Sequence, residues 1–383
     1  MGLDAWIQAL SPSASGRRSE LDEDDVRVRP GRGSRPRTRT RPAHAAAVLG
    51  FVATVDRGRY GCVVSGQTIV AMKARELGHG SVVVGDRVAL AGDVSGSAGS
   101  LARIVRVEPR TSALRRSADD SDPVERVIVA NADQLVIVCS LASPPPRLRF
   151  VDRCLVAAYD AGLSPLLVLT KADLAPAHAV RAVYSPLGLR MLTTRRPLPP
   201  QTLGRLRNLL TGRISVLIGQ SGVGKSTLVN TLVPDAVRAV GSVNPVTGRG
   251  RHTSSSAVAF TLPVPSPRRA ASGSGAGAGS GAGAGSGAGA GSGSGAASDL
   301  AGEPGWLIDT PGLRGFGLGH VSTDRVVEAF GDLAEGITAC PPGCEHLSAA
   351  AGCALDAWAR EHHAEARLDS LRRLLAARYE SPD

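Results

Sequence analysis

One glycine-rich segment of the sequence has the residue types and spacing of a phosphate-binding loop. It reads Gly-Gln-Ser-Gly-Val-Gly-Lys-Ser over residues 219–226 and matches G-x-x-x-x-G-K-S at every fixed position. An apolar run precedes it and a helical pattern follows, and backbone N–H groups at such a helix start bind phosphates. We expect Lys225 to contact the β- and γ-phosphates as a catalytic residue and the Ser226 hydroxyl to bind magnesium. The residues predicted to bind the nucleotide here are Gly219, Gln220, Ser221, Gly222, Val223, Gly224, Lys225, Ser226 and Thr227.

A second motif, Asp309-Thr-Pro-Gly312, follows the apolar run 306–308. The run predicts a strand and places the aspartate at its carboxyl end, where a P-loop enzyme needs a carboxylate near its metal ion. Asp-x-Pro-Gly also occurs in ordinary turns, so by itself the motif is only a moderate signal. Together with the phosphate-binding loop in the same chain, it indicates a nucleotide-binding site. We expect Asp309 to contribute to the magnesium site and the Gly312 amide to contact the γ-phosphate.

A third motif, Thr170-Lys171-Ala172-Asp173, resembles the Asn-Lys-x-Asp sequence with which GTPases recognise guanine. A carboxylate at Asp173 accepts hydrogen bonds from N1–H and from the exocyclic amine of guanine, a pair that adenine does not offer. The Lys171 stem is expected to pack along the base. Threonine instead of asparagine at position 170 is a departure that is expected to weaken hydrogen bonds to the scaffold. The motif predicts that these four residues bind GTP rather than ATP.

The order of the motifs differs from that of an ordinary small GTPase, in which the phosphate-binding loop precedes the base-recognition motif. Here residue 170 comes before residues 219 and 309, which indicates a circularly permuted GTPase domain. At this point the chain resembles the ribosome small-subunit-dependent GTPase A family (RsgA, or YjeQ), over about residues 44–380. Residues 131–134, Asn-Ala-Asp-Gln, are similar to a strand-leading motif of that family. The resemblance implies an OB barrel, a permuted GTPase domain and a C-terminal zinc domain.

The resemblance also assigns roles to Gly-Arg-Gly-Arg-His-Thr at 248–253, which looks like the switch I segment of the family. By this likeness Thr253 binds magnesium when the γ-phosphate is present. Leu313 stands where ordinary GTPases carry a water-orienting glutamine, so His252 is the candidate for positioning the water. The alternative is a histidine that merely flanks the switch. The base-stacking Ser-Ala element of the family is not clear in residues 192–194, and no residue is assigned there.

A cluster of soft and borderline ligands lies near the C-terminus, within 14 residues. Three thiolates and one imidazole suit a closed tetrahedral structural zinc site with no open position for catalysis. Disulfide pairing is the alternative. The predicted ligands are Cys340, Cys344, His346 and Cys353, whereas Cys62, Cys139 and Cys154 stand alone and are expected to be buried apolar residues.

Composition divides the chain into a tail and three domains. Residues 1–43 run from an acidic cluster into an arginine-rich stretch and predict a disordered tail, either a solubility tail or a polyanion-binding arm. Residues 44–112 have the short β-rich runs of an OB barrel, and residues 113–330 alternate strands and helices as the permuted α/β GTPase domain does. A Gly/Ala/Ser repeat at 272–298 predicts a flexible insertion, and residues 331–383 form the small helical zinc-binding domain.

The hydrophobic pattern predicts the elements that must position these motifs. Only Phe51 and Tyr60 could supply aromatic platforms in the barrel, so any nucleic-acid contact there must depend on arginine, and a purely structural barrel is the alternative. The predicted barrel strands are 50–56, 61–64, 68–71, 81–84, 86–91 and 101–107. In the GTPase domain they are 134–141, 166–170, 214–218, 257–262 and 306–309, with helices over 150–161, 224–233 and 322–334, and one helix over 354–379 ends the chain.

Composition narrows the class of partner and compartment. The 383 residues carry a net charge of +10, which favours a polyanionic partner, and only Lys73, Lys171 and Lys225 are lysines, two of them in the nucleotide motifs. No window predicts a membrane span, nothing at the N-terminus predicts a secretory signal, and the six cysteines are too few and too unevenly placed for a disulfide framework, so we expect a cytoplasmic protein. We also expect a monomer. With the resemblance, the sequence predicts a GTPase stimulated by the 30S subunit in its late maturation, with 16S rRNA as a partner. The alternatives are a GTP-gated RNA-binding module and a P-loop ATPase or kinase.

Overall fold

The computed structural model describes the chain in segments. These are residues 46–78, 81–117, 125–234, 257–262, 305–310, 316, 318, 321, 323–347 and 352–377. The predicted tail, residues 1–43, and the predicted insertion, residues 272–298, lie outside the described residues. None of the helices in the described segments is long and apolar enough to cross a membrane.

The first five strands close into a small barrel. They are β1 (Val48–Asp56), β2 (Arg59–Val64), β3 (Gln67–Lys73), β4 (Arg87–Gly92) and β5 (Ala102–Val107), paired in the order β1-β2-β3-β5-β4 with β4 returning to β1. Because side chains alternate between the two faces of a strand, apolar residues such as Val52, Ile69 and Ile104 fill the interior. The sequence pattern predicted a further strand over 81–84. That segment is not a strand in the structure, and Val84 forms only an isolated bridge with Val129.

The remaining strands form a hairpin and a mostly parallel sheet. The hairpin pairs β6 (Ala113–Ser117) with β7 (Glu125–Ala130). The sheet contains β8 (Gln134–Ser140), β9 (Ser164–Thr170), β10 (Arg190–Thr193), β11 (Ile214–Ile218), β12 (Val258–Thr261) and β13 (Trp306–Asp309). Its order is β10-β9-β8-β11-β13-β12, with every neighbouring pair parallel except β13 and β12. The structure confirms the five strands that the pattern predicted here and adds β6, β7 and β10.

Helices cover both faces of this sheet, and the strands are accordingly apolar on both sides. The helices are α1 (Leu148–Asp160), α2 (His178–Tyr184), α3 (Pro200–Leu210), α4 (Lys225–Leu232), α5 (Thr323–Glu328), α6 (Ala334–Ile337), α7 (Leu355–Glu361) and α8 (Glu365–Ala376). On β8, Leu135 and Ile137 pack in the cluster that includes α1 and α8, whereas Val136 and Val138 pack in the cluster that includes α3 and α4. This double coverage is typical of parallel sheets.

The barrel and the parallel sheet are continuous through one strand pair. Thr54 of β1 pairs with Val258 of β12, so the hydrogen-bonded order runs from one sheet into the other. The ring of Phe51 on β1 packs against that of Trp306 on β13, with centroids 4.4 Å apart. Phe51 is therefore engaged with the second sheet, and Tyr60 is buried inside the barrel.

The C-terminal part differs from its prediction. The pattern favoured one helix over 354–379, but α7 ends at Glu361 and α8 begins at Glu365. His363 adopts a left-handed conformation with φ of 53°, and the Ala364 N–H donates to the Ala359 carbonyl at 2.8 Å. A left-handed residue of this kind commonly ends a helix. The apolar periodicity of the sequence continues through the break, which is why the pattern predicted one helix. The helix predicted over 322–334 is likewise shorter, because α5 ends at Glu328 and a 3₁₀ turn, Gly331–Leu333, follows.

Candidate nucleotide-binding site and metal cluster

The three nucleotide motifs meet at one edge of the parallel sheet. Thr170 ends β9, Gly219 follows β11, and Asp309 ends β13. The strands are parallel, so their carboxyl ends lie at the same edge, which is where open α/β sheets bind ligands. Tertiary structure thus brings together residues that are far apart in the chain.

The phosphate-binding loop has the backbone conformation that its glycines allow. Gly224, immediately before α4, has a φ of 103°, a region that residues with a Cβ rarely adopt. A Cβ at Gly219 would lie 2.5 Å from the carbonyl oxygen of Val138 on the neighbouring strand. The Lys225 ammonium donates to the carbonyls of Gly219 and of Gln220, the latter at 3.1 Å. The lysine is therefore held over the loop in which phosphates are expected.

The Asp309 carboxylate lies close enough to Lys225 for the two charges to interact. Burial lowers the pKa of Lys225, and the carboxylate opposes this shift. Burial raises the pKa of Asp309, and the ammonium opposes that shift in turn. Asp309 Oδ1 is buried without a hydrogen-bond partner among the described residues. A buried oxygen of this kind needs a compensating ligand, so the donor set of Asp309 and the Ser226 hydroxyl fits magnesium.

Thr170 connects the base-recognition motif to the phosphate-binding loop. Its buried hydroxyl donates to the carbonyl of Val223 at 2.6 Å. The sequence predicted that threonine would weaken the hydrogen bonds to the scaffold at this position. A hydroxyl has one donor where an amide has two, and the Thr170 hydroxyl also lies 3.4 Å from the Cys139 carbonyl oxygen. Its shorter bond, to Val223, links two motifs 53 residues apart.

Asp173 and Lys171 present their side chains beyond the end of β9. Asp173 is exposed, and its Oδ1 accepts a hydrogen bond from the backbone N–H of Arg196 at 3.1 Å. Lys171 has a left-handed backbone, with φ of 60°, and its ammonium donates to the Ser143 carbonyl. The carboxylate is therefore accessible to a base, as the motif predicts.

The loop after β10 also reaches this site, although no motif in the sequence predicts a role for it. The Thr194 carbonyl accepts from the Ala172 N–H at 3.0 Å, which fixes the loop beside the base-recognition motif. The Arg196 guanidinium donates to the hydroxyl of Thr227 in the first turn of α4. The only sequence signal for this contact is a pair of arginines after a short strand, which by itself indicates nothing. The predicted site residues His252, Thr253 and Gly312 lie outside the described residues.

A buried arginine joins the segment beyond Asp309 to the end of α8. Arg153 on α1 donates from Nε and Nη2 to the Phe316 carbonyl at 3.1 and 2.6 Å, and from Nη1 to the Ala377 carbonyl at 2.9 Å. Its neighbour Asp152 is also buried and pairs with Arg373 of α8 at 3.2 Å. Neither residue could be singled out from the sequence, because an Asp-Arg pair within a helix usually lies on a solvated face.

Replacing Arg153 with methionine is expected to lower the free energy of unfolding by about 3 kcal/mol or more, because two carbonyls lose a charged donor. Arg153→Lys should recover only part of this loss, since one ammonium cannot reproduce the planar fork. Urea denaturation measures both. Arg205→Met, on the exposed side of α3, is the matched control and should stay within about 0.5 kcal/mol of wild type. Equal stability of the two methionine variants would contradict the role of Arg153.

The Cys/His residues near the C-terminus converge on one point. Their ligand atoms all lie within 4.8 Å of one another in the described part of the chain. His346 Nδ1 lies 3.6 Å from Cys340 Sγ, 3.4 Å from Cys344 Sγ and 3.7 Å from Cys353 Sγ. A tetrahedral ion with bonds of about 2.3 Å to sulfur and about 2.0 Å to nitrogen requires separations of about 3.5–3.8 Å. The cluster therefore has the donor set and spacing to hold one metal ion.

Disulfide pairing, the alternative for this cluster, does not occur in the structure. All six cysteines are free thiols, and the Sγ atoms of Cys340 and Cys353 lie 3.9 Å apart. A disulfide requires about 2.0 Å. The other three cysteines, Cys62, Cys139 and Cys154, are buried among apolar side chains, as predicted.

The fold and the site define a P-loop GTPase whose domain is circularly permuted. Comparison with solved structures supports the fold. The crystal structure of YjeQ from Thermotoga maritima aligns with a TM-score of 0.54 at 20% identity, over 87% of this chain and 98% of that one. YloQ, described as a circularly permuted GTPase, aligns with a TM-score of 0.55 at 18% identity, over 88% and 96% of the two chains. At these identities the likeness establishes the fold alone.

Sequence comparison identifies the family. Residues 107–266 match the family model described as RsgA GTPase. A protein named small ribosomal subunit biogenesis GTPase RsgA, from Pseudomonas syringae pv. tomato, is 36% identical over 282 residues, which cover 72% of this chain and 68% of that protein. A protein of the same name from Pseudomonas fluorescens is 35% identical over 309 residues, covering 79% and 76%. The chain belongs to the RsgA GTPase family, and the resemblance on which the sequence analysis depended is confirmed.

Proposed function

We propose that this protein hydrolyses GTP to GDP and phosphate on the small ribosomal subunit, and that it acts in the cytoplasm as a monomer in late 30S maturation. The observation that carries the GTPase is the hydrogen bond from Thr170 to Val223, which joins the base-recognition motif to the phosphate-binding loop. The ribosomal role is supported by the relatives named small ribosomal subunit biogenesis GTPase RsgA, which are similar over more than two thirds of their length.

In this proposal the residues at the sheet edge divide the work of phosphoryl transfer. Lys225 and the backbone amides of residues 219–226 spread the charge that develops on the transferring group while water attacks in line. Ser226, Asp309 and Thr253 would hold magnesium, which would supply further positive charge to stabilise the transferring group. Asp173 selects guanine. One structural zinc ion, held by the Cys340, Cys344, His346 and Cys353 side chains, would stabilise the C-terminal domain.

The exterior of the barrel supports a nucleic-acid partner, here 16S rRNA. Arg59 on β2 pairs with Met72 on β3, which pairs with Arg103 on β5, so these three exposed side chains form one row across the outside of the barrel. The two aromatic residues are engaged elsewhere, so contacts from arginine to phosphate would dominate, and binding should weaken steeply with salt. A barrel that serves only as structure is the alternative.

The test of this function is GTP turnover measured with and without purified 30S subunits. We expect slow intrinsic hydrolysis and a rise of several powers of ten when subunits are added, because correct positioning of a catalytic group has effects of about this size. Binding to subunits without any rise in turnover would instead favour a GTP-gated RNA-binding module. Competition by ATP against labelled GTP distinguishes a GTPase from an ATPase or kinase.

His252→Ala is expected to abolish most of the subunit-stimulated turnover and to leave GTP affinity and basal hydrolysis almost intact. Leu313 cannot orient a water, whereas an imidazole can, and Lys225 and Asp173 carry the binding. Single-turnover hydrolysis in the presence of 30S subunits measures the effect. His178→Ala, at an exposed position on α2, is the matched control. Stimulated turnover within about twofold of wild type would reject His252 as the water-positioning group. General acid–base catalysis typically raises the rate by about a hundredfold or more.

A further inference from the structure

An arginine with no assigned role links the base-recognition carboxylate to the helix after the phosphate-binding loop. The backbone N–H of Arg196 donates to Asp173 Oδ1 at 3.1 Å, and its guanidinium donates to the Thr227 hydroxyl. Thr227 lies in the first turn of α4, two residues after Lys225. The guanidinium therefore lies between the group that is expected to read the base and the group that is expected to hold the phosphates.

Guanine has hydrogen-bond acceptors that a cation at this position could bind. A carboxylate only accepts hydrogen bonds, so Asp173 pairs with the donor edge of guanine, N1–H and the exocyclic amine. The opposite edge presents two acceptors, O6 and N7, which Asp173 cannot satisfy. Arginine has donors in a fixed fork and no acceptor, and a bidentate pair with O6 and N7 is its commonest specific contact with guanine. Adenine carries an amine at the position of O6 and would repel the fork.

We infer that Arg196 is a second specificity-determining residue, whose guanidinium leaves the Thr227 hydroxyl and binds O6 and N7 of guanine. The inference rests on the proposed role of Asp173 in guanine recognition. Arg196 is exposed, so its side chain can exchange one acceptor for another without losing buried contacts. Its backbone bond to Asp173 keeps it beside the base-recognition carboxylate. Asp173 and Arg196 would then read opposite edges of one base.

The experiment compares GDP with 7-deaza-GDP, in which a C–H group replaces N7, by calorimetric titration of the full chain. Wild type is expected to prefer GDP by about tenfold, because a bidentate arginine pair is worth about 1–3 kcal/mol and one of its two bonds is lost. Arg196→Ala loses both bonds, so it should bind GDP more than about tenfold more weakly and bind both ligands equally. Arg196→Lys should retain an intermediate preference. Arg195→Ala is the matched control, because Arg195 is exposed and makes no side-chain hydrogen bond in the described part of the chain. It should behave as wild type.

Three results would overturn the inference. An unchanged ratio of GDP to 7-deaza-GDP affinity in Arg196→Ala would show that Arg196 does not contact N7. Equal weakening of both ligands would place its contact on the phosphates instead of the base. Tighter GDP binding by Arg196→Ala would mean that the Arg196 side chain, bonded to Thr227, obstructs the nucleotide site instead of contacting the base. The guanine recognition on which the inference rests fails separately, if wild type shows no preference for GDP over ADP.

Discussion

Asp173→Asn is expected to reverse the base preference of this GTPase from guanine to xanthine. The amide keeps an acceptor for N1–H, but its NH₂ group faces the exocyclic amine of guanine, donor against donor. Xanthine carries a 2-oxo group there, which accepts from the amide. Hydrogen bonds to a charged group contribute about 1.5–3 kcal/mol each, so GTP affinity should fall about a hundredfold or more. Fluorescence competition with GTP and XTP on one preparation measures both affinities.

The control for this reversal is Asp369→Asn, which removes the same charge from an exposed position on α8. It should leave both affinities at their wild-type values. Thermal unfolding of the two variants should agree with wild type, because Asp173 is exposed and its one hydrogen bond accepts from a backbone N–H. If Asp173→Asn kept the wild-type ratio of GTP to XTP affinity, Asp173 would not read the base.

Cys344→Ser is expected to release the metal and to unfold the C-terminal domain. The Cys344 thiol lies 3.4 Å from His346 Nδ1 in the four-ligand cluster, so its loss removes one of the four donors from the described site. Structural zinc contributes about 10–16 kcal/mol of apparent binding free energy, which is folding free energy for a small domain. Zinc content by mass spectrometry should fall from one equivalent to near zero, and limited proteolysis should cleave within residues 331–383.

Cys62→Ser is the matched control, since it removes a thiol from the barrel core and should leave the zinc content unchanged. GTP affinity should survive in Cys344→Ser, because Lys225 and Asp173 make no hydrogen bond to the cluster in the described part of the chain. Wild-type protein purified without zinc, or a Cys344→Ser variant that retains it, would show that the cluster is not a structural zinc site.

Much of the site was predictable because each motif is a short contiguous segment. The phosphate-binding loop depends on glycines at fixed spacing, and Gly224 adopts the positive φ that the motif requires. The cluster Cys340 to Cys353 spans only 14 residues of the sequence, so its ligands could be expected to converge. The strand ends could also be predicted from the sequence, because the residues before Gly219 and up to Asp309 form apolar runs.

Other features could not be read from the sequence. The extra strand predicted at 81–84 has the composition of a strand, yet Val84 finds only an isolated bridge partner. The helix predicted over 354–379 has continuous periodicity, yet His363 adopts a left-handed conformation that ends α7. In both cases the residue types favour the predicted secondary structure, but the element does not form as predicted. Strand pairing and side-chain packing, which depend on distant residues, decide which conformation is adopted.

The chemistry expected of this protein could be predicted from short motifs in the chain: a P-loop, a predicted guanine-recognition motif placed before it, and a four-ligand cluster. These depend on neighbours along the chain, whose geometry the backbone dictates. Tertiary structure decided which distant groups meet. Thr170 bonds to Val223, Arg153 bonds to carbonyls 163 and 224 residues away, and Arg196 reaches both Asp173 and Thr227. Such contacts depend on the packing of helices on a sheet and on the shared edge of parallel strands, which no local spacing encodes.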